Sequence, residues 1–155
     1  MTPLFANPAL PGLLNSLAHP KSRAIGSLGE QLCYHLLASR GYLPSNVHPK
    51  EHRGDLRVVT SSGEILRVEV KTARRASDGR YHFTLRKAGH TDHSDSDVII
   101  LLCAMKTGYV VPFVVPTRVV VRQNAIVISR DPYTYAGKFA RYRQKMHLLN
   151  LEVLS

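Results

Sequence analysis

Apolar residues recur at Ile25, Leu28, Leu32 and Leu36, with Leu37 beside them, and Gly41 follows as a stop signal, so residues 22–40 are predicted to form an amphipathic helix. The period then changes from about 3.6 to two. Residues 53–60 and 64–71 each alternate apolar and polar positions around Ser61-Ser62-Gly63, the pattern of a β-hairpin. A two-residue turn at Ser62-Gly63 would pair Asp55 with Val70. A three-residue loop ending in a left-handed Gly63 would pair Asp55 with Glu69 instead. The second register is preferred, because it stacks Leu56 and Val58 against Val68 and Leu66 on one face and leaves Asp55, Glu69 and Lys71 on the other.

Farther along, residues 81–85 alternate as a short strand, and the continuous apolar run 98–105 suits a central strand. Thr107-Gly108 turns the chain into a strand over 109–115, where Pro112 implies an edge or a bulge, and residues 125–129 add one more. Phe139, Tyr142, Met146 and Leu149 predict a closing helix over about 135–149. Helix, three strands, two further strands and helix make an α/β sandwich with a mixed sheet. The first 21 residues, with Pro3, Pro8, Pro11 and Pro20, are expected to be an N-terminal extension carrying at most a short apolar helix at Leu10 to Leu17. Residues 22–155 are expected to form one domain that includes the C-terminal helix.

Candidate chemistry follows from the hairpin. Two adjacent carboxylates repel each other and are usually offered to a cation. Magnesium, with manganese as a substitute, is a hard ion that takes oxygen ligands, so Asp55, Glu69, the Val70 carbonyl and a phosphate oxygen would make a reasonable partial shell. Lys71 points the same way from the strand. Its ammonium can orient an attacking water and offset the charge that builds on a phosphorane-like transition state.

Asp, a variable gap, then Glu-x-Lys at a strand end resembles the active site of the PD-(D/E)xK nuclease superfamily, with Asp55, Glu69 and Lys71 on the three motif positions and Gly54 in place of the motif's proline. Gly29-Glu30 in a helix, ending at Gly41-Tyr42 and followed by Gly54-Asp55, resembles the branch that contains archaeal-type Holliday junction resolvases and small homing endonucleases. The resemblance covers residues 22–117. It implies a restriction-endonuclease-like α/β sandwich, with a central mixed sheet flanked by helices, and it implies that Glu30 joins the metal site. Gly26 and Gly29 beside Glu30 each cost about 1 kcal/mol against alanine in a helix interior, so a close approach is expected there.

The charge balance points to a polyanion. There are 21 Lys plus Arg against 11 Asp plus Glu, a formal charge of +10 and a pI near 10.0. Arg53 precedes Asp55, Arg74, Arg75 and Arg80 follow the hairpin, Arg86 and Lys87 close the next strand, and Lys138, Arg141 and Lys145 form one stripe of the expected C-terminal helix. Together they make candidate phosphate contacts. The leading reading is a magnesium-dependent DNA endonuclease acting as a homodimer or higher homo-oligomer. A non-catalytic nucleic-acid-binding module with the same fold is the alternative, and a basic structural domain with protein partners is a third. Two preserved carboxylates argue against the alternative, since they would repel a phosphate.

Other features are read more plainly. Residues 90–97 pack two histidines and three aspartates into one loop, but their spacing matches neither a zinc-finger pair nor a calcium loop, and turn chemistry explains them. Cys33 and Cys103 are expected as core thiols. No uninterrupted apolar run is long enough to span a membrane, and no signal-peptide pattern opens the chain, so an intracellular location in cytoplasm or nucleoid is expected.

Overall fold

The computed structural model describes residues 25–46, 56–85 and 96–145. Helix α1 (Ile25–Ser39) buries Leu32, Cys33, Leu36 and Leu37. Its end follows from Gly41, whose φ of 88° is open to glycine. There the Tyr42 amide donates to the Leu37 carbonyl at 3.2 Å and the Gly41 amide to the Ala38 carbonyl at 3.1 Å, a Schellman cap. Strand β1 (Leu43–Asn46) comes next. It was not expected, since Pro44 interrupts any strand pattern, and a proline of this kind is tolerated because β1 is an edge.

Strands β2 (Leu56–Val59) and β3 (Ile65–Arg74) form the hairpin. Leu56 pairs with Val68 and Val58 with Leu66, which is the register expected for a three-residue loop. Thr60 donates to the Glu64 carbonyl and Gly63 to the Thr60 carbonyl, both at 2.9 Å, with Gly63 at φ 85°. Strand β3 then runs parallel to β5 (Val98–Ala104), and β5 pairs antiparallel with β6 (Val110–Pro116). The result is a five-stranded mixed sheet in the order β1-β2-β3-β5-β6. The middle of the sheet is β3, and the interior strand β5, expected from the sequence as a central one, is buried along its whole length, as its unbroken apolar run requires. Pro112 lies on the edge strand β6.

Strands β4 (Arg80–Thr84) and β7 (Ala125–Ser129) make a separate two-stranded sheet. Two cores result. Helix α1 closes the first over Leu56, Val58, Val68, Val70, Ile100 and Leu102. The small sheet closes the second, in which Tyr81, Phe83, Ile126 and Ile128 meet Ile99, Leu101, Cys103 and Phe113. Each buried Leu, Ile or Phe contributes roughly 1.5–3 kcal/mol. Both cysteines are buried and outside any disulfide, and burial pushes the Cys103 thiol far up.

The expected C-terminal helix is not formed over its described part. Residues 135–145 make turns and a 3-10 segment at Ala140–Tyr142. Backbone pairing elsewhere explains this. Arg143 bridges to Phe113 and the Gln144 amide donates to the Pro112 carbonyl at 2.7 Å, so the segment satisfies the β6 edge with groups that a helix would keep for itself. Gly137 also lies flat against Tyr135, where a Cβ would come within 2.4 Å of the phenol oxygen. Phe139 and Tyr142 still reach the second core, because a spacing of three suits a 3-10 turn. Residues 1–24, 47–55, 86–95 and 146–155 lie outside the described residues. Among the described residues, no helix is long and apolar enough to cross a membrane.

Candidate active site

Along β3 the side chains of Leu66, Val68 and Val70 enter the first core, so Arg67, Glu69 and Lys71 stand on the opposite face. The parallel ladder sets Glu69 beside Ile99 and Lys71 beside Leu101, two side chains of the second core. The site therefore lies where the open part of the sheet passes under the edge of the second layer. Exposure along this face follows that geometry: Ile65 is exposed, Arg67 half-buried and Ala73 buried. The Glu69 and Lys71 side chains retain 15% and 31% of their accessible surface.

Lys71 Nζ lies 3.0 Å from Glu69 Oε1. The other oxygen, Glu69 Oε2, is buried and has no hydrogen-bond partner among the described residues. A buried carboxylate oxygen without a donor is costly, by about 1–3 kcal/mol or more. Apolar neighbours make the charge more effective, since water screens it less. A half-satisfied carboxylate on an apolar rim can accept a cation, and the ammonium beside it can polarise a water or a phosphate oxygen. Carboxylate oxygens are the donors a hard cation takes, and among the described residues Glu69 is not joined by two further His, Cys, Asp or Glu side chains.

Helix α1 meets β3 at one point. A Cβ at Gly29 would fall 1.7 Å from Thr72 Oγ1, so only glycine lets the helix approach this closely. That contact sets Glu30 level with Thr72, the residue after Lys71. The helix carries Glu30 on the first-core side of the sheet, while Glu69 and Lys71 stand on the other. Gly26 makes no such approach, with nothing within 4 Å of its notional Cβ.

Asp55, Arg53, Arg86 and Lys87 lie outside the described residues, as do residues 90–95 of the histidine and aspartate loop. Asp97, at the end of that loop, has a structural task. Its carboxylate accepts from the Arg67 amide at 2.8 Å and its own amide donates to the Arg67 carbonyl at 2.9 Å, which locks β5 to β3 two residues before Glu69. Val70 buries its side chain in the first core between Glu69 and Lys71.

The basic residues are distributed differently from the expectation. Arg75 donates to the Gly79 carbonyl in the β3–β4 turn, and Arg80 beside it is exposed. Arg74 is half-buried. Lys138, Arg141 and Lys145 are exposed but share no helical stripe; Lys138 and Arg141 each lie 5.5 Å from an aromatic ring, of Phe139 and Tyr142 respectively. Sequence reasoning passed over Arg57 and Arg67, which pair directly across β2 and β3. The register that aligns Asp55 with Glu69 already implied this pair.

No protein-family model and no curated protein sequence matches the chain. A solved fold does. The structure of a bacterial homing endonuclease, I-Ssp6803I, superposes with a TM-score of 0.68 at 19% identity, covering 84% of this chain and 93% of that one. This likeness is one of fold, and the α/β architecture expected from the sequence is the one observed.

Proposed function

We propose that the chain is a metal-dependent DNA endonuclease of the PD-(D/E)xK type, hydrolysing phosphodiesters by attack of water. One observation carries the reading: Glu69 and Lys71 are paired on the outer face of β3, with one carboxylate oxygen engaged by the lysine and the other buried without a donor. The likeness to a homing endonuclease fold supports it. Glu69, Asp55 and the Val70 carbonyl would hold a magnesium ion, which when bound supplies positive charge against a phosphoryl oxygen. Glu30, expected from the sequence to join the metal site, lies on the other side of the sheet from Glu69 and Lys71, so its part would be to order the helix side of the site.

The remaining work belongs to the chain itself. Lys71 orients the attacking water and offsets charge on the transition state. Glu69 holds the ammonium in place for that task, through the 3.0 Å contact. The apolar wall of Ile99 and Leu101 limits screening around both groups. The basic surface attracts the substrate.

The test offers linear duplex, four-way junction and flapped DNA to the protein with magnesium or manganese. Cleavage should require the metal, stop with EDTA, and fall by orders of magnitude in Asp55→Ala and Glu69→Ala while DNA binding survives. Undiminished cleavage in either variant overturns the assignment. Metal-independent binding without cleavage by the wild type would leave the non-catalytic module as the better description.

A further inference from the structure

We infer that Arg57 and Arg67 form a phosphate clasp on the open face of β2 and β3, holding the nucleic-acid backbone beside the phosphate at Glu69 and Lys71. The inference rests on the nuclease reading for the identity of the polyanion, and on separate observations for the site. The two arginines are directly opposed in the antiparallel ladder, on the face that carries Glu69. Two guanidinium groups set opposite each other at one register position can be bridged by one anion, which offsets the repulsion between them. Among the described residues Arg67 has no ion-pair partner, and the nearby Asp97 carboxylate is engaged by the Arg67 backbone amide. Both arginines are half-buried, which leaves part of each side chain open to a ligand.

Position gives the clasp a role. Arg67 and Glu69 are two residues apart on one strand face, a separation of about 6.8 Å. A phosphate held by the arginines would therefore be a neighbour of the one at the site, which fixes how the strand enters it. The arginines act as binding and positioning groups, outside the chemical step. Planar guanidinium groups suit this, since each can present two donors to a phosphate.

The experiment measures binding of a linear duplex as a function of salt in EDTA, with wild type, Arg67→Ala and Arg57→Ala/Arg67→Ala, alongside melting temperature and light scattering. The double variant should lose about 0.9 units of the log–log salt slope, the loss of one phosphate contact, with an unchanged or raised melting temperature. An Arg67→Lys variant should keep the slope but bind more weakly. In magnesium, the double variant should raise KM with little change in kcat. An unchanged salt slope overturns the clasp, as does a lowered melting temperature that accounts for the weaker binding. A change of oligomeric mass with an unchanged slope would make the face a contact between copies and also overturn it. These outcomes are independent of the nuclease reading: a reduced slope in a protein that never cleaves DNA keeps the clasp and removes the endonuclease, and metal-dependent cleavage with an unchanged slope does the reverse.

Discussion

At Glu69 the two carboxylate oxygens have different lives, one facing an ammonium and one facing no donor, and the difference separates the roles of its neighbours. If Lys71 works in the transition state, Lys71→Ala should lower the cleavage rate by about 10²–10³-fold while the magnesium dependence stays in place. Initial rates across a magnesium titration decide this; a raised magnesium requirement with an unchanged maximal rate would make Lys71 a structural partner of the carboxylate. The two helix glycines give a second contrast. Gly29→Ala drives a Cβ into Thr72 Oγ1, so helix or strand must shift, and overpacking of this kind costs roughly 1–3 kcal/mol or more. Gly26→Ala meets open space and should be neutral or gain up to about 1 kcal/mol from helix propensity. Chemical denaturation of both variants checks the pair, and equal effects would show that Gly29 is not the point of approach.

The hairpin is the element on which the site depends, and its register was legible because turn and strand had to agree. Only a three-residue loop with Gly63 left-handed puts Leu56, Val58, Leu66 and Val68 on one face, and the ladder has that form. Gly63→Val should therefore be costly through backbone strain alone, since nothing lies within 4 Å of its Cβ. A loss of about 1–2 kcal/mol is expected, with Gly63→Asn milder, and thermal melting of the two variants would expose the argument as wrong if they matched. Cleavage should fall only in step with stability. Helix α1, its glycine stop and the buried run of β5 were readable for the same reason, that their signals are local. The β4–β7 pairing joins residues far apart in sequence, and no local period announces which strands leave the main sheet. Residues 135–145 show the opposite failure, because a helical spacing was present but the bare edge of β6 claimed their backbone. Glu69 and Lys71 were legible from residue type and alternation. The opposed Arg57 and Arg67 needed the register to be carried one pair further.

For the molecule as a whole, charge and assembly are linked. A formal charge of +10 on a 17.3 kDa chain should make DNA binding fall steeply with salt. It also opposes self-association by mutual repulsion, so a dimer would need an apolar contact. An enzyme that cuts both strands of a duplex usually presents two equivalent sites, which a C2 dimer supplies with one interface, and at least a dimer is expected here. The strand over 109–115 is not available for it. Val110–Pro116 is buried throughout and its edge already takes Arg143 and Gln144, leaving Tyr109 exposed. A different surface is open. Leu43 pairs with Val59 and Val59 with Ile65, and this apolar row crosses β1, β2 and β3 at the hairpin tip with Leu43 69% and Ile65 61% exposed. Light scattering at micromolar concentration should give about twice the mass of one chain. Ile65→Lys adds a charge to the row without disturbing a core side chain, so it should shift the protein toward monomer while its melting profile keeps a single cooperative transition. A wild type already monomeric at that concentration would remove the dimer, and an Ile65→Lys variant that stays dimeric would place the contact elsewhere than the hairpin tip.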